Sequence, residues 1–71
     1  MTRINPDKLM LSKWTAQHPS NKEKHFIVTK LFRDENGSVL EIEIQAVMTR
    51  STEHMDWQTL QITEHWRIGW K

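Results

Sequence analysis

The four residues Asp34-Glu35-Asn36-Gly37 constrain what this chain can fold into more than any others. They lie inside a stretch, Lys24 to Arg50, that reads as one long β-hairpin. The first arm carries Phe26, Ile27, Val28, Leu31 and Phe32, and the second carries Val39, Leu40, Ile42, Ile44, Val47 and Met48. Aromatic, aliphatic and β-branched residues bounded by polar clusters are the composition of half-buried strands. In the second arm Leu40, Ile42, Ile44, Ala46 and Met48 alternate with Glu41, Glu43 and Gln45. That period of two gives a strand one dry and one wet face, whereas a helix would scatter the glutamates around its circumference.

The turn sets the register, and it allows two closures. Asn36-Gly37 as a two-residue type I′ turn sets Leu31 opposite Ile42 and Lys30 opposite Glu43. A type I turn from Asp34, with Gly37 as a left-handed bulge, sets Phe32 opposite Leu40, Val28 opposite Ile44 and Phe26 opposite Ala46. Asp first and Gly fourth favour the bulged turn. It predicts one buried face of Phe26, Val28, Phe32, Leu40, Ile42 and Ile44, and a slip of one residue would exchange the faces.

The segments on either side are laid against this hairpin. Met1 to Asp7 reads as an irregular lead-in, with Asn5-Pro6 as a turn signal. Lys8 to Ala16 reads as a strand, with Leu9 and Leu11 on one face and Met10 and Trp14 on the other. Gln17 to Glu23 reads as a loop, because it holds Pro, Ser and Asn and little that is apolar. After the hairpin, Ser51-Thr52 reads as a second turn and Glu53 to Asp56 as a short return strand. From Trp57 the spacing becomes helical, with Asp56 and Thr63 as N-caps and Gly69 at a helix end. β-Branched Thr59, Ile62 and Thr63 divide this tail into two helical pieces, 57–61 and 63–68. The expected fold is mainly β, or α+β: a small twisted antiparallel sheet of three to four strands with a short helical C-terminal tail.

With 71 residues the chain is one domain, residues 1–71, with a small core. It has no cysteine, which excludes disulfides, thiolate metal sites and cysteine catalysis and fits a cytoplasmic location. No apolar run approaches the ~20 residues of a membrane span, and the N-terminus lacks the apolar region of a signal peptide. Ten basic and nine acidic side chains leave a net charge of +1, too low to favour a polyanionic partner.

The order of motifs also matters. Ser12-Lys13-Trp14-Thr15-Ala16 comes first, then Glu23-Lys24-His25-Phe26, then the hairpin. The tail follows with Trp57, Trp66 and Trp70 and closes on Gly69-Trp70-Lys71. From Asn5 to Lys71 the chain resembles a family of small tryptophan-rich bacterial proteins classed as a domain of unknown function. That resemblance implies no activity, substrate, cofactor or catalytic residue.

The residues themselves point to binding rather than catalysis. His18, His25, His54 and His65 show no paired-ligand spacing, so they predict surface or hydrogen-bonded histidines and no metal site. His25 and His54 are expected to approach each other if the return strand pairs beside the hairpin. Glu41 and Glu43 read as a solvated strand face with basic cross-strand neighbours. No catalytic, metal-ligating or cofactor-binding residue is assigned. Four tryptophans are the compositional excess. Trp57 and Trp66 are expected to pack the tail onto the sheet, and Trp14 and Trp70 to be exposed. An exposed tryptophan among Lys13, Lys22, Lys24 and Lys71 suits either an interface anchor or a platform for unpaired bases. The candidate partner-binding residues are therefore Lys13, Trp14, Lys22, Lys24, Trp70 and Lys71. The expected function is a non-catalytic interaction module with a protein partner. Single-stranded nucleic acid is the second expectation, and a small enzyme using His or Glu the third. A monomer is expected over an edge-paired dimer.

Overall fold

A computed structural model describes residues 4–20 and 23–71. Five strands form one antiparallel sheet: β1 (Lys13–Ser20), β2 (Glu23–Arg33), β3 (Val39–Ala46), β4 (Thr52–Asp56) and β5 (Trp66–Ile68). Their order across the sheet is β4-β3-β2-β1-β5, so the sheet is open and β4 and β5 are its edges. The molecule is mainly β. Among the described residues the only helical turns are two short 3-10 turns, Pro6–Lys8 and Trp57–Gln61.

The hairpin turn closes in its bulged form. Gly37 N–H donates to Asp34 O at 3.0 Å, and Gly37 takes φ 83°. The Asp34 carboxylate accepts from Asn36 N at 2.8 Å and Ser38 N at 3.0 Å. It thereby satisfies the amides that a tight turn leaves without backbone partners.

The register combines the two closures. At the open end Phe26 opposes Ala46 and Val28 opposes Ile44, while nearer the turn Leu31 opposes Ile42 and Lys30 opposes Glu43. Arg33 opposes Val39, so Leu40 is an extra residue on β3 and Thr29 an extra residue on β2. Each bulge shifts the pairing by one, and the two cancel. This corrects the predicted face: Phe26, Val28, Ile42 and Ile44 are buried, but Phe32 is 36% and Leu40 54% exposed. Leu40 is the bulged residue itself, and Phe32 lies in the shifted segment opposite Glu41.

The other boundaries also move. Asn5 caps the first 3-10 turn by accepting from Asp7 N at 3.1 Å, and Pro6 starts it. Leu11 then takes φ 64°, which breaks the alternation predicted for Lys8 to Ala16, and β1 begins only at Lys13. Leu9 is buried but Leu11 is exposed. The segment read as a loop from Gln17 is mostly strand, since β1 runs to Ser20 and β2 starts at Glu23. The turn expected at Ser51-Thr52 falls earlier, at Val47–Thr49, with Arg50 at φ 63°. The Glu23 carboxylate accepts from the Thr49 and Ser51 hydroxyls and ties this turn to β2.

The tail is not helical beyond one turn. Asp56 caps Trp57–Gln61 as expected, accepting from Gln58 N at 2.8 Å. Ile62 then turns extended at φ −82° and ψ 97°. Trp66–Ile68 pairs with Trp14–Ala16 instead of continuing as a helix. The free edge of β1 offers those backbone groups partners, which a second short helical turn between β-branched residues does not. Gly69, at φ 83°, ends a strand rather than a helix.

The core lies on one face of the sheet. Leu9, Trp14, Phe26, Val28, Val39, Ile42, Ile44, Ala46 and Leu60 are buried there. Leu60, from the second 3-10 turn, is fully buried and caps this face. Trp57 and Trp66 pack against the core as expected, with Trp66 edge-on to Phe26 at 5.2 Å between ring centres. Trp14 is 2% exposed, which corrects the exposure predicted for it. It alternates onto the core face of β1, and Ser12 Oγ accepts its indole N–H at 2.8 Å.

Candidate partner-binding face

The outer face of the sheet carries the site. Strand alternation sends Trp14 and Ala16 into the core and Lys13 and Thr15 outward. Thr15 is nonetheless 2% exposed, because the last three residues fold over it. Its hydroxyl donates to Gly69 O at 2.7 Å and accepts from Lys71 N at 2.9 Å. Gly69 N–H donates to Lys13 O at 2.7 Å. Gly69 turns the chain at the edge, and Trp70 then lies across β1 and β2.

Trp70 is held without being hidden. Its indole N–H donates to Phe26 O at 3.0 Å, Lys13 Nζ sits 4.8 Å from the ring centre, and His25 packs at 6.0 Å. His25 Nε2 also bonds Lys71 O at 3.1 Å. The side chain is still 43% exposed. An ammonium group over an indole face is attracted by the ring quadrupole and fixes the ring's orientation.

The structure thus brings Lys13, Trp70 and Lys71 together. Lys24 is exposed beside a separate hollow of about 340 Å³ lined by Lys24, His25, Val47 and Met48. Lys22 lies outside the described residues. Trp14 belongs to the core and not to the site. Sequence reasoning missed His25 and Arg67, which Thr15 faces from its two neighbouring strands. It also missed Phe32, which shares the outer face with Glu41. The period-two pattern could have placed His25 beside Ile27. Arg67 was hidden by the helical reading of the tail.

The far half of the same face is acidic. Glu41 opposes Asp56, and Glu43 opposes both Lys30 and His54. The Thr29 hydroxyl donates to Glu43 Oε2 at 2.7 Å, and His54 Nε2 lies 3.3 Å from its Oε1. The Thr29 hydrogen bond, chiefly, holds the Glu43 carboxyl below the usual carboxylate range, with smaller help from His54 and Lys30. Phe32 packs on His54 with ring centres 4.9 Å apart.

The histidines lie at three places in the fold. His25 and His54 lie in different strand pairs and do not meet. His18 and His65 do meet, ring edge to face at 6.2 Å, beside a cleft of about 380 Å³ that also includes Glu53, Met55 and Trp66. Among the described residues no three His, Asp or Glu side chains converge as metal ligands.

A tryptophan-rich family model matches residues 12–71. The chain belongs to the tryptophan-rich protein family DUF2389, a domain of unknown function. The DUF2389 match starts at Ser12, so it takes in all five strands and both halves of the outer face but not the capped turn at Pro6–Lys8. No curated protein and no solved structure matches the chain.

Proposed function

We propose that this DUF2389 chain is a small non-catalytic binding module whose outer sheet face engages a protein partner, with Trp70 as the anchor. The half-exposed, fixed state of Trp70 carries this reading. Its N–H is already satisfied and its ring is already oriented by Lys13 and His25. Docking against it therefore costs little ordering of the side chain, which favours an anchor role. The mixed charge of the face fits a protein better than a polyanion, because Glu41, Glu43 and Asp56 repel phosphate.

The second reading is single-stranded nucleic acid. Two exposed aromatics, Trp70 and Phe32, and the basic side chains Lys13, Arg67 and Lys71 favour it. The test has two arms. Wild type and Trp70→Ala are used as baits in host lysate, and a partner retained by wild type and lost by the variant is the expected result. Equal capture by both refutes Trp70 as anchor. The indole N–H signals are then followed during addition of single-stranded RNA and DNA at two salt concentrations. Saturable Trp70 shifts that weaken steeply with salt would transfer the face to nucleic acid.

A further inference from the structure

The two halves of the outer face are complementary to each other. One half, on β5, β1 and the terminal residues, carries Lys13 against the exposed ring of Trp70, Arg67 opposite Thr15, and Lys71 with its ammonium beside Gly69. The other half, on β3, β4 and the turn end of β2, carries Glu41, Glu43 and Asp56 beside the exposed ring of Phe32. The basic half thus offers three cations and one aromatic; the acidic half offers Glu41, Asp56 and one aromatic, with Glu43 already engaged by Thr29, Lys30 and His54. The two cannot neutralise each other within one molecule. From β1 to β3 is two strand spacings, about 10 Å, and β4 lies one strand further. That separation is about a Debye length in physiological salt. Lys30 lies within the acidic half, opposite Glu43, and answers that carboxylate locally.

We infer that this face pairs with the same face of a second copy of the chain, basic half on acidic half. This rests on the reading of the outer face as a protein-binding surface and names its partner. A two-fold axis lying in the face, and crossing it between the two clusters, superposes each cluster on its opposite in the partner. The contact is then isologous: Lys13, Arg67 and Lys71 of each copy meet Glu41 and Asp56 of the other. Trp70 of each copy comes onto the Phe32 region of the other, an aromatic contact at each end of the interface. The two longer dimensions of the molecule are 37 and 26 Å. That leaves room for the ~800 Å² per partner of a standard interface. The surface is distinct from the strand edges, where dimerisation would proceed by backbone pairing.

The test is sedimentation equilibrium of the full chain from micromolar to millimolar concentration at low and high salt, with Lys13→Glu/Lys71→Glu as one variant and Glu41→Lys as the other. Circular dichroism first establishes that both variants are folded. The wild type is expected to dimerise at low salt and to dissociate as salt rises. Each variant alone is expected to dimerise about tenfold or more weakly, since like charges then face each other. Mixing the two variants is expected to restore a heterodimer, seen as a mixed-mass species by native mass spectrometry. A wild type that stays monomeric at millimolar concentration and low salt overturns the inference. So does dimerisation of either charge variant as strong as wild type, or a mixture that forms no heterodimer. If the chain is monomeric while Trp70→Ala still loses a captured partner, the binding-module reading stands and the self-pairing falls.

Discussion

Thr15→Val removes one oxygen atom and should release the anchor of the proposed site. Thr15 is buried on the outer face of β1, and its hydroxyl is the junction of the C-terminal residues. It donates to Gly69 O and accepts from Lys71 N, at 2.7 and 2.9 Å. Valine fills the same space but makes neither bond. A net value of about 0.5–1.5 kcal/mol per hydrogen bond sets the scale. Both orphaned groups lie near the surface and can turn to water, so the loss is about 1–2 kcal/mol rather than the larger penalty of a sealed group. In a domain of this size each kcal/mol moves Tm by about 4–8 °C. Urea or thermal unfolding reads the loss, and hydrogen exchange of the Trp70 indole N–H reads its cause. That N–H is bonded to Phe26 O in the wild type and should lose protection in Thr15→Val. Thr15→Ser is the control. It keeps both bonds and gives up one buried methyl, about 0.8 kcal/mol, so it should lose stability but keep the Trp70 protection. If Thr15→Val unfolds within about 0.3 kcal/mol of wild type, well inside the value of one hydrogen bond, the reasoning is wrong. An unchanged Trp70 exchange rate refutes it as well.

Other consequences can be checked by the same unfolding measurements. Leu60→Ala opens a cavity where the second 3-10 turn caps the core, and should cost about 2–5 kcal/mol; a smaller loss would mean that the turn does not seal the sheet. Gly37→Ala meets no neighbour within 4 Å but must hold φ 83°, so the cost is backbone strain alone, about 1–2 kcal/mol. Glu23 and Glu43 make stability depend on acid. The Ser51 hydroxyl first, then Thr49, holds the Glu23 carboxyl below its usual range, and Thr29 does the same for Glu43. A lowered folded pKa adds stability that is complete above the unfolded value, about 4.3, and is lost as pH falls through the lower folded value. Glu23→Gln and Glu43→Gln should therefore lose less stability than wild type between about pH 5 and pH 3, and parallel profiles would refute this.

The turn and the lower hairpin were legible because they are local. Asp34, Asn36 and Gly37 each supply a specific backbone need, and Ile42 and Ile44 sit two apart on one strand. Phe32 and Leu40 were misplaced because a bulge leaves no sign in a period-two pattern. Two bulges that cancel keep the ends of the hairpin in the expected register while shifting its middle. The tail was misread for a different reason. Trp66, Arg67 and Ile68 alternate in polarity, but three residues are too few to tell a strand from a helical stripe, and what pairs them is the open edge of β1, contributed by residues some fifty positions earlier.

The candidate site divides along the same line. The sequence alone determined which residue types were available: a cysteine-free chain, an excess of tryptophan, a near-neutral charge and lysines beside Trp14 and Trp70. It could not decide between the two tryptophans, because each is an aromatic next to a lysine. The tertiary structure decided it through alternation on a paired strand, which turns Trp14 inward and leaves Lys13 and Thr15 outward. Thr15 then draws the chain end over the sheet and sets Trp70 on Lys13. Charge segregation across the outer face has the same origin. Lys13, Arg67 and Lys71 are scattered along the chain and become neighbours only when strand order places β5 beside β1, with the acids on β3 and β4 on the far side of β2.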